Sequence, residues 1–419
     1  MIKFGQALGG LLVFIGSLSF AGGSRAPKLA NFESTVIVIS IDGLRPESIT
    51  PTNMPHLAKW MKAGASGSLE PVFPSLTFPN HFTMATGLYP AEHGIIGNDM
   101  RDPEMTEDFT LANQALVRDP RWWLAEPFWL AAERQGIRVG AMFWPGTDVA
   151  IAGKRPSYYR EFSFAVSMDE RIRQMLEWIQ LPSDKRPRLF TLYFEQVDFA
   201  SHQKGLDSPE YFEALREVDS HLNKLNEELD HLRLLSKINW VMVSDHGMVK
   251  VDLSKTVFLR DFLKDTEADL VGKGALVGIY PRLGTSVMQT RKKLAAMKGA
   301  RVFAPRELPG SYHFMGSPRL APLYVLADEG LFLSHDAKTF VQKATHGYDH
   351  QLLSMRGYFL GRGPAFRSEA HQSVAIENIN IADLVAHLAG FKMGNQHGRW
   401  TAFKSLLLEP EQKLTESGK

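Results

Sequence analysis

The chain has 419 residues, of which 44% are hydrophobic and 22% are charged, and its formal net charge at pH 7 is +1. This composition is that of a globular protein with a large core, and the length fits one large α/β domain with insertions or two domains. The near-neutral charge provides no basic surface for nucleic-acid polymers. The chain contains no cysteine, which excludes disulfides and a lipoprotein attachment site.

The N-terminus has the features of an export signal. A basic start precedes the apolar run Ala7–Phe20, which is short for a membrane span, and the small residues around Ala21 resemble a signal-peptidase site. We therefore predict a signal peptide over residues 1–21 and a mature chain that begins near Gly22, with an uncleaved anchor as the alternative. Export without disulfides favours a bacterial periplasm, so the predicted location is periplasmic or secreted, with no membrane span in the mature form.

The stretch Pro71–Asn98 offers a candidate nucleophile. Pro79 fits the first turn of a helix, where its missing N–H costs nothing, and this places Thr77 beside a helix N-terminus that favours an anion. A threonine hydroxyl is a weak nucleophile unless a base or a metal activates it. The alternative is that Thr77 only caps an ordinary buried helix.

Three apolar runs are predicted to be buried strands, and each is followed by an acidic residue. The acids are Asp42, Asp198 and Asp245, and the last is joined directly to His246. In α/β sheets, ligands bind at the carboxyl ends of the strands. Any one of these acids could simply cap a turn.

Histidines accompany these acids. His202 follows Asp198 by four residues, so both would face the same way on a helical turn, and His346 lies in a glycine-containing loop. Aspartate and neutral histidine are the ligands expected for zinc, and no cysteine competes with them. Three such coincidences at successive strand ends predict a metal centre rather than three separate caps.

The rest of the chain alternates predicted helices and strands. Helices are predicted at 55–64, 126–136, 167–180, 209–235 and 379–390, and further strands at 137–144, 322–328 and 355–363. Residues 272–315 are predicted to form a smaller appended lobe of the domain spanning 34–393. The polar segment 394–419 is predicted to be a loosely packed C-terminal tail.

Six motifs occur along the chain in a characteristic order. They are SIDGLRP (40–46), FPSLTFPNH (73–81), TGLYPAEHGIIGN (86–98), YFEQVDFASH (193–202), VSDHGM (243–248) and THGYD (345–349). With these motifs the chain resembles the nucleotide pyrophosphatase/phosphodiesterase family of the alkaline phosphatase superfamily, from Val36 to about Gly390. The resemblance implies an α/β fold: an alkaline-phosphatase-like three-layer α/β/α sandwich with a mostly parallel central sheet.

The resemblance also implies two Zn²⁺ ions per chain. Carried over by motif, the ligands of one zinc would be Asp198, His202 and His346, and those of the other would be Asp42, Asp245, His246 and Thr77. Thr77 would be the catalytic nucleophile that forms a covalent phospho-threonine intermediate. Asn98 would donate its side-chain amide to a phosphate oxygen of the substrate.

Other residues near the motifs are assigned structural roles. Four histidines match no ligand position and are predicted to be structural, namely His81, His93, His313 and His350. Tyr348 and Asp349 are expected to orient His346 rather than to bind metal.

The family contains enzymes that cleave nucleotide diesters and pyrophosphates and others that cleave choline phospholipid head groups. Phe78, together with Tyr158 or Tyr159, resembles the aromatic slot that stacks a base in the nucleotide-cleaving members. The alternative is that Phe78 belongs to the core and the tyrosines to the surface. The predicted function is zinc-dependent hydrolysis of small-molecule nucleotide diester and pyrophosphate bonds with release of nucleoside 5′-monophosphate, and a choline-phospholipid or glycerophosphodiester phosphodiesterase is the alternative.

Related enzyme classes fit less well. A sulfatase needs cysteine or serine in a C/S-x-P-x-R setting, and nothing of this kind surrounds Thr77. A cofactor-independent phosphoglycerate mutase would use serine and manganese-type ligands in a cytoplasmic chain. A phosphomonoesterase would need additional cations for a dianion, and no Arg or Lys occurs between Pro71 and Asn98. A zinc-stabilised binding protein is the non-enzyme alternative.

Overall fold

The structure is a computed structural model that describes residue 29 and residues 32–408. The predicted signal peptide and the end of the predicted tail, residues 409–419, lie outside the described residues. Among the described residues, no helix combines the length and the apolar character needed to cross a membrane.

Eighteen strands are present in the described part of the chain. In chain order they are β1 (Thr35–Ile41), β2 (Ala65–Glu70), β3 (Asp99–Met100), β4 (Phe109–Thr110), β5 (Val139–Met142), β6 (Tyr158–Tyr159), β7 (Leu189–Phe194), β8 (Ile238–Val243), β9 (Val249–Lys250), β10 (Val257–Phe258), β11 (Ala268–Val271), β12 (Leu276–Pro281), β13 (Ala300–Phe303), β14 (Leu323–Ala327), β15 (Leu333–Ser334), β16 (Ala344–Thr345), β17 (Gly357–Arg362) and β18 (Ala370–Glu377).

The α-helices of the described residues include one in each of the five predicted helical ranges, one that begins at Thr77 and one that carries Asp198 and His202. They are α1 (Pro55–Ala63), α2 (Thr77–Thr86), α3 (Pro90–His93), α4 (Gln114–Val117), α5 (Phe128–Arg134), α6 (Met168–Ile179), α7 (Gln196–Lys204), α8 (Pro209–His231), α9 (Val287–Leu294) and α10 (Ile381–Ala389).

Eight strands form the central sheet in the order β18-β2-β17-β8-β1-β7-β5-β6. Within this sheet β17 runs antiparallel to both of its neighbours, and the remaining pairs are parallel. The prediction of a mostly parallel sheet is therefore confirmed. Strands β2 and β18, which lie side by side at one end of the sheet, are not among the predicted strands.

Strand β1 explains why helices cover both faces of the sheet. Its side chains are fully buried and alternate, as a strand's period of two requires: Val36 and Val38 join one core, whereas Ile37 and Ile39 join the other. Helices α2, α5 and α10 pack on the first face, and α1, α6 and α8 pack on the second. The result is the predicted three-layer α/β/α sandwich.

The appended lobe is built on a separate antiparallel sheet in the order β11-β12-β14-β13, with its own apolar core. This sheet spans residues 268–327. The predicted lobe, 272–315, was therefore too narrow at both ends. It omitted β14, the strand that pairs with both β12 and β13, because a single apolar run does not show which sheet it will join.

The C-terminal segment is not loosely packed as far as the structure describes it. A 3-10 helix, Trp400–Leu406, buries Phe403 and Leu406 against the core that contains α10. Because the segment is polar overall, its composition did not indicate that these two apolar residues are buried.

Candidate active site

The acidic residues meet at one edge of the central sheet because their strands are neighbours. Strand β1 pairs in parallel with both β8 and β7, so the carboxyl ends of all three lie side by side. Asp42 directly follows β1, and Asp245 lies two residues after β8. Asp198, in contrast to its predicted place at a strand end, lies on α7, because β7 stops at Phe194.

Three histidines are each oriented by a hydrogen bond from Nδ1 to a backbone carbonyl. His202 Nδ1 donates to the Ala344 carbonyl at 2.7 Å, His246 Nδ1 donates to the Gly247 carbonyl at 2.9 Å, and His346 Nδ1 donates to the Ser75 carbonyl at 3.0 Å. Because a carbonyl can only accept, each Nδ1 carries a proton, and Nε2 is the nitrogen that each ring can offer to a metal. Such a backbone hydrogen bond is typical of histidines that ligate metal.

The Nε2 atoms of these histidines face the three carboxylates. His202 Nε2 lies 3.3 Å from Asp198 Oδ2, and His246 Nε2 lies 3.0 Å from Asp245 Oδ2 and 3.5 Å from Asp42 Oδ1. The rings of His246 and His346 stack with centroids 3.6 Å apart. We call this set the metal-ligand cluster; it consists of Asp42, Asp198, His202, Asp245, His246 and His346.

The carboxylates of the cluster are buried, but hydrogen bonds do not satisfy all of their oxygens. One oxygen each of Asp42, Asp198 and Asp245 has no hydrogen-bond partner among the described residues. Burial raises the pKa of Asp42, and the charges of Asp245 and Asp198 raise it further. An unpaired buried carboxylate oxygen is costly, and a bound cation is the usual compensation.

Burial and neighbouring charges also shift the pKa values of His346 and Asp245. Burial and the neighbouring His246 lower the pKa of His346 to about 3, which keeps this ring neutral. Burial acts to raise the pKa of Asp245, but His246 and His81 outweigh it and hold that pKa well below its usual range. The donor atoms of Asp198, His202 and His346 lie within 4.8 Å of one another, as do those of Asp42, Asp198 and His246. The donor chemistry of the residues present therefore fits bound metal.

Thr77 lies at this cluster as the first residue of α2. Its Oγ1 is 3.2 Å from His246 Nε2. Asn98 lies beside it, and its Oδ1 accepts the Phe78 backbone N–H at 3.0 Å. This bond fixes the orientation of the Asn98 amide and leaves its NH₂ group free to donate to a ligand next to Thr77.

The comparisons with known proteins agree with this geometry. Residues 36–349 match the family described as type I phosphodiesterase / nucleotide pyrophosphatase. The chain belongs to this family. It is 34% identical over 399 residues to ectonucleotide pyrophosphatase/phosphodiesterase family member 1 of Mus musculus, and 29% identical over 403 residues to a venom phosphodiesterase of Crotalus durissus collilineatus. These alignments cover 91% and 93% of this chain but only 44% and 48% of the relatives, so the chain spans less than half of their length.

Solved structures of the family show the same fold. Murine ectonucleotide pyrophosphatase / phosphodiesterase 5 superposes with a TM-score of 0.85 at 30% identity, covering 89% of this chain and 100% of that one. An inactive variant of the same murine protein, solved in complex with AMP, superposes with the same TM-score and covers 90% of this chain. The predicted alkaline-phosphatase-like fold is thereby confirmed.

Several residues that the family motifs do not list as ligands hold the ligands in place. Both nitrogens of His81 are engaged: Nε2 pairs with Ser40 Oγ at 2.8 Å, and Nδ1 lies 2.9 Å from the Thr77 carbonyl and 3.3 Å from Asp245 Oδ2. The Tyr193 hydroxyl donates to Asp42 Oδ2. His81 thus contacts the cluster directly, and its donor atom lies within 4.8 Å of those of Asp42 and Asp245, so its structural role stays a prediction.

The residue behind His346 is Ser75 rather than the predicted pair. Ser75 accepts the His346 Nδ1 proton through its carbonyl, and its own hydroxyl donates to the Tyr348 carbonyl at 2.8 Å. Asp349 instead accepts from Tyr312. Tyr348 is thus linked to His346 through Ser75, and among the described residues Asp349 forms no hydrogen bond or ion pair with His346.

The other three histidines lie away from the cluster. His93 is buried, with Nε2 3.0 Å from Thr83 Oγ1, and His313 stacks on Tyr89 at 3.9 Å. His350 packs against the Phe73 and Tyr312 rings. These contacts agree with the structural roles predicted for all three.

An aromatic pocket of about 170 Å³ opens on one side of Thr77. We define the aromatic pocket by its main walls, which are Phe78, Trp144, Phe162, Phe164 and Phe199. The Phe162 and Phe164 rings are 4.9 Å apart, and Phe164 and Phe199 are 6.1 Å apart. Phe164 and Phe199 are 69% and 55% exposed, so two large apolar rings face solvent at the mouth.

Tyr158 and Tyr159 do not line the aromatic pocket. They form β6 at the edge of the central sheet, where Tyr158 packs against Trp178 and Tyr159 lies under Arg155. The same loop instead presents Phe162 and Phe164 to the pocket. The aromatic-rich sequence from 158 to 164 signalled a ring at this place, but only the pairing of β6 with β5 shows which rings reach it.

A polar cleft of about 350 Å³ opens on the other side of Thr77. Asn98, Asp198, His202 and His346 form its inner wall. Its outer wall comes mainly from the appended lobe, including Lys273 and Tyr280, and from Gln342. Thr77 and Asp198 line both cavities, so the candidate reaction centre lies where the aromatic pocket and the polar cleft meet.

Proposed function

We propose that this protein hydrolyses phosphodiester and pyrophosphate bonds of nucleotides and releases nucleoside 5′-monophosphate. The observation that carries this proposal is the position of the Thr77 hydroxyl, 3.2 Å from His246 at the junction of the metal-ligand cluster and an aromatic pocket. Membership of the type I phosphodiesterase / nucleotide pyrophosphatase family supports it.

Two zinc ions would complete the site. Asp198, His202 and His346 would hold one, and Asp42, Asp245, His246 and Thr77 would hold the other. The three orphaned carboxylate oxygens and the three Nε2 lone pairs supply the donor chemistry that zinc requires. Bound zinc would lower the pKa of the threonine hydroxyl and neutralise the charge that develops on the leaving oxygen.

The protein's own groups would carry out the reaction in two displacements. The Thr77 hydroxyl loses its proton to solvent and its oxygen attacks phosphorus, and the bond from phosphorus to the leaving oxygen breaks with its electron pair, which leaves the nucleoside 5′-monophosphoryl group esterified to Thr77. Water then attacks phosphorus, releases the nucleoside 5′-monophosphate and restores the Thr77 hydroxyl. The free NH₂ of Asn98 would donate to a non-bridging oxygen in both steps.

The aromatic pocket supports a nucleoside as the retained group. Phe78 follows the nucleophile and is braced by Trp123 and Phe109, with ring centroids 6.0 Å away in each case. Phe162 on the facing loop is braced by Phe143 at 5.2 Å. Two half-buried, supported rings lining one pocket suit a flat base, and stacking of one base contributes about 1–3 kcal/mol.

A choline head group is the second candidate, because the pocket also contains two carboxylates that lie outside the metal-ligand cluster. Glu195 and Asp148 line it, and a quaternary ammonium could use both them and the rings. Each carboxylate is already paired: Arg171 binds Glu195 through two bonds of 2.6 and 2.7 Å, and Arg118 donates to Asp148 at 3.0 Å. With their charge compensated, these acids offer little to a cation, and this favours the nucleotide.

A direct substrate comparison tests the proposal. Purified protein supplied with zinc should release nucleoside 5′-monophosphate from ATP and from the p-nitrophenyl ester of thymidine 5′-monophosphate, and a p-nitrophenyl monoester should react much more slowly. Chromatography of the products identifies the bond that breaks. A higher kcat/KM for glycerophosphocholine or lysophosphatidylcholine than for any nucleotide diester would replace this proposal with the phospholipid function.

A further inference from the structure

The polar cleft has the size of a small-molecule site, and its outer wall carries hydrogen-bond donors that the fold leaves unused. We propose that this cleft is the leaving-group subsite, and that Lys273 and Gln342 select leaving groups that themselves carry phosphate, such as the pyrophosphate of a nucleoside triphosphate. This inference rests on the function proposed above and extends it to the half of the substrate that departs.

The direction of the reaction assigns the two cavities to the two halves of the substrate. In an in-line displacement the leaving oxygen lies opposite the attacking oxygen. Thr77 and Asp198 line both cavities, whereas His202 and His346 line only the polar cleft and Phe78 lines only the aromatic pocket. A base stacked on Phe78 therefore directs the other phosphorus substituent past Asp198 into the polar cleft.

Lys273 is held at the cleft by a rigid turn between β11 and β12. Gly272 and Gly274 flank it with φ angles of +88° and +90°, a backbone region that strongly favours glycine. The Gly272 carbonyl accepts from His335 Nε2 at 2.8 Å, and the Gly274 N–H donates to the Leu333 carbonyl at 2.9 Å. The turn thus fixes the root of the lysine side chain beside the metal-ligand cluster.

The ammonium group of Lys273 has no close partner. Within residues 32–408 it forms neither a salt bridge nor a hydrogen bond, and the charged group it influences is Asp99, which lines the same cleft. Burial raises the pKa of Asp99, and the Thr110 hydroxyl and then Lys273 lower it. A phosphate entering the cleft would compete with Asp99 for the three N–H donors of this lysine.

Gln342 provides a second donor from the opposite loop. The Thr345 hydroxyl donates to Gln342 Oε1 at 3.0 Å, which leaves the Gln342 amide N–H groups available to a ligand. A Cβ added at Gly274 would lie 3.1 Å from Thr345 Oγ1, so the lysine turn and this loop approach each other closely. The Lys273 ammonium and the Gln342 amide therefore lie on the same wall of the cleft.

The experiment compares two substrates that differ in the charge of their leaving group. ATP loses pyrophosphate, whereas the p-nitrophenyl ester of a nucleoside 5′-monophosphate loses a phenolate without phosphate. Lys273→Ala should lower kcat/KM for ATP about tenfold, in line with loss of a charged hydrogen bond, and change it less than about twofold for the ester. Lys273→Arg should restore most of the ATP activity.

Gln342→Glu is the second variant, because it keeps the acceptor for Thr345 and introduces a negative charge. It should lower ATP cleavage selectively as well, and added salt should narrow the difference from wild type. Lys292→Ala, on the exposed face of α9 and outside the cleft, is the matched control and should behave as wild type. Equal losses with both substrates, or no loss with ATP, would overturn the proposed selection.

A binding measurement separates this inference from the proposed function. In a Thr77→Ala background, calorimetry should show tighter binding of ATP than of AMP, and adding Lys273→Ala should remove most of that difference. If the wild-type protein cleaves no nucleotide, the proposed function fails, and the ATP-to-AMP affinity ratio still decides whether the cleft recognises the distal phosphates. A ratio unchanged by Lys273→Ala would refute the subsite.

Discussion

The two cavities that meet at Thr77 differ in the chemistry of the side chains that line them. The aromatic pocket has rings for walls, and the two carboxylates that line it outside the metal-ligand cluster, Asp148 and Glu195, are each paired with an arginine. The polar cleft has an unpaired ammonium and an amide donor on a wall supplied largely by the appended lobe. Under the proposed function, one half of a substrate would be held by stacking and the other by charge, with the chemistry at the residues between them.

The difference between the two cavities predicts which substrates each substitution should affect. Changes at the junction should affect every substrate equally, whatever groups flank the phosphorus. Changes in the aromatic pocket should depend on the retained base, and changes in the polar cleft on the leaving group. A cavity variant whose effect depends on both the base and the leaving group would contradict this division.

Removal of metal should have the largest effect. The purified protein should contain about two zinc ions per chain, and chelation should abolish hydrolysis of all substrates, because the metal-ligand cluster serves both halves of the diester. Metal analysis and assays before and after re-addition of zinc check this. Full activity in a metal-free preparation would contradict it.

Replacement of the nucleophile should be nearly as severe. Thr77→Ala should lower kcat by at least about 10³-fold with ATP and with base-free diesters alike, while the fold and at least one zinc remain. Thr77→Ser should keep part of the activity, because it retains the hydroxyl. Mass spectrometry of a rapidly quenched reaction with ATP should detect an adenosine monophosphoryl group on residue 77, and wild-type rates in the alanine variant would exclude the covalent route.

Asn98→Ala should have an intermediate effect that is again independent of substrate. Loss of one oxyanion donor costs on the order of 10²-fold in kcat. Because the Asn98 carbonyl also binds the Phe78 N–H, Asn98→Asp is the informative control: it keeps this acceptor but removes the donor. Both variants should be impaired. If Asn98→Asp were as active as wild type, the amide would have no role at phosphorus.

The junction could be predicted from the sequence and the cavity walls could not, for a physical reason. Asp42 and Asp245 closely follow apolar strands, so local patterns place them at one edge of a parallel sheet. His202 is tied to Asp198 by the period of a helix. The walls depend instead on which loop residues tertiary packing turns inward. Tyr158 and Tyr159 enter an edge strand, and Phe162, three residues on, reaches the pocket.

The appended lobe shows the same limit on a larger scale. Its approximate position was predicted, but the extent of its sheet depends on the pairing of β12 with β14, which β13 separates in the chain. The placement of Lys273 and His346 in one cleft likewise depends on contacts between distant segments. No local pattern encodes such contacts. The sequence around Lys273 shows only two glycines flanking a lysine, which is typical of many exposed turns.

The smallest effect should come from the rings, and it should be confined to substrates with a base. Phe78→Ala and Phe162→Ala should each raise KM for a nucleotide diester about five- to tenfold, the lower part of the range expected from one lost stacking contact. Tyr159→Ala is the matched control from the same loop, and KM should stay near the wild-type value because its ring lies outside the pocket. Methyl p-nitrophenyl phosphate, which has no base, should be cleaved equally by all of these variants. Equal impairment of the methyl ester would mean that the rings only support Thr77, and a Tyr159 effect larger than that of Phe162 would restore the tyrosine as the stacking partner.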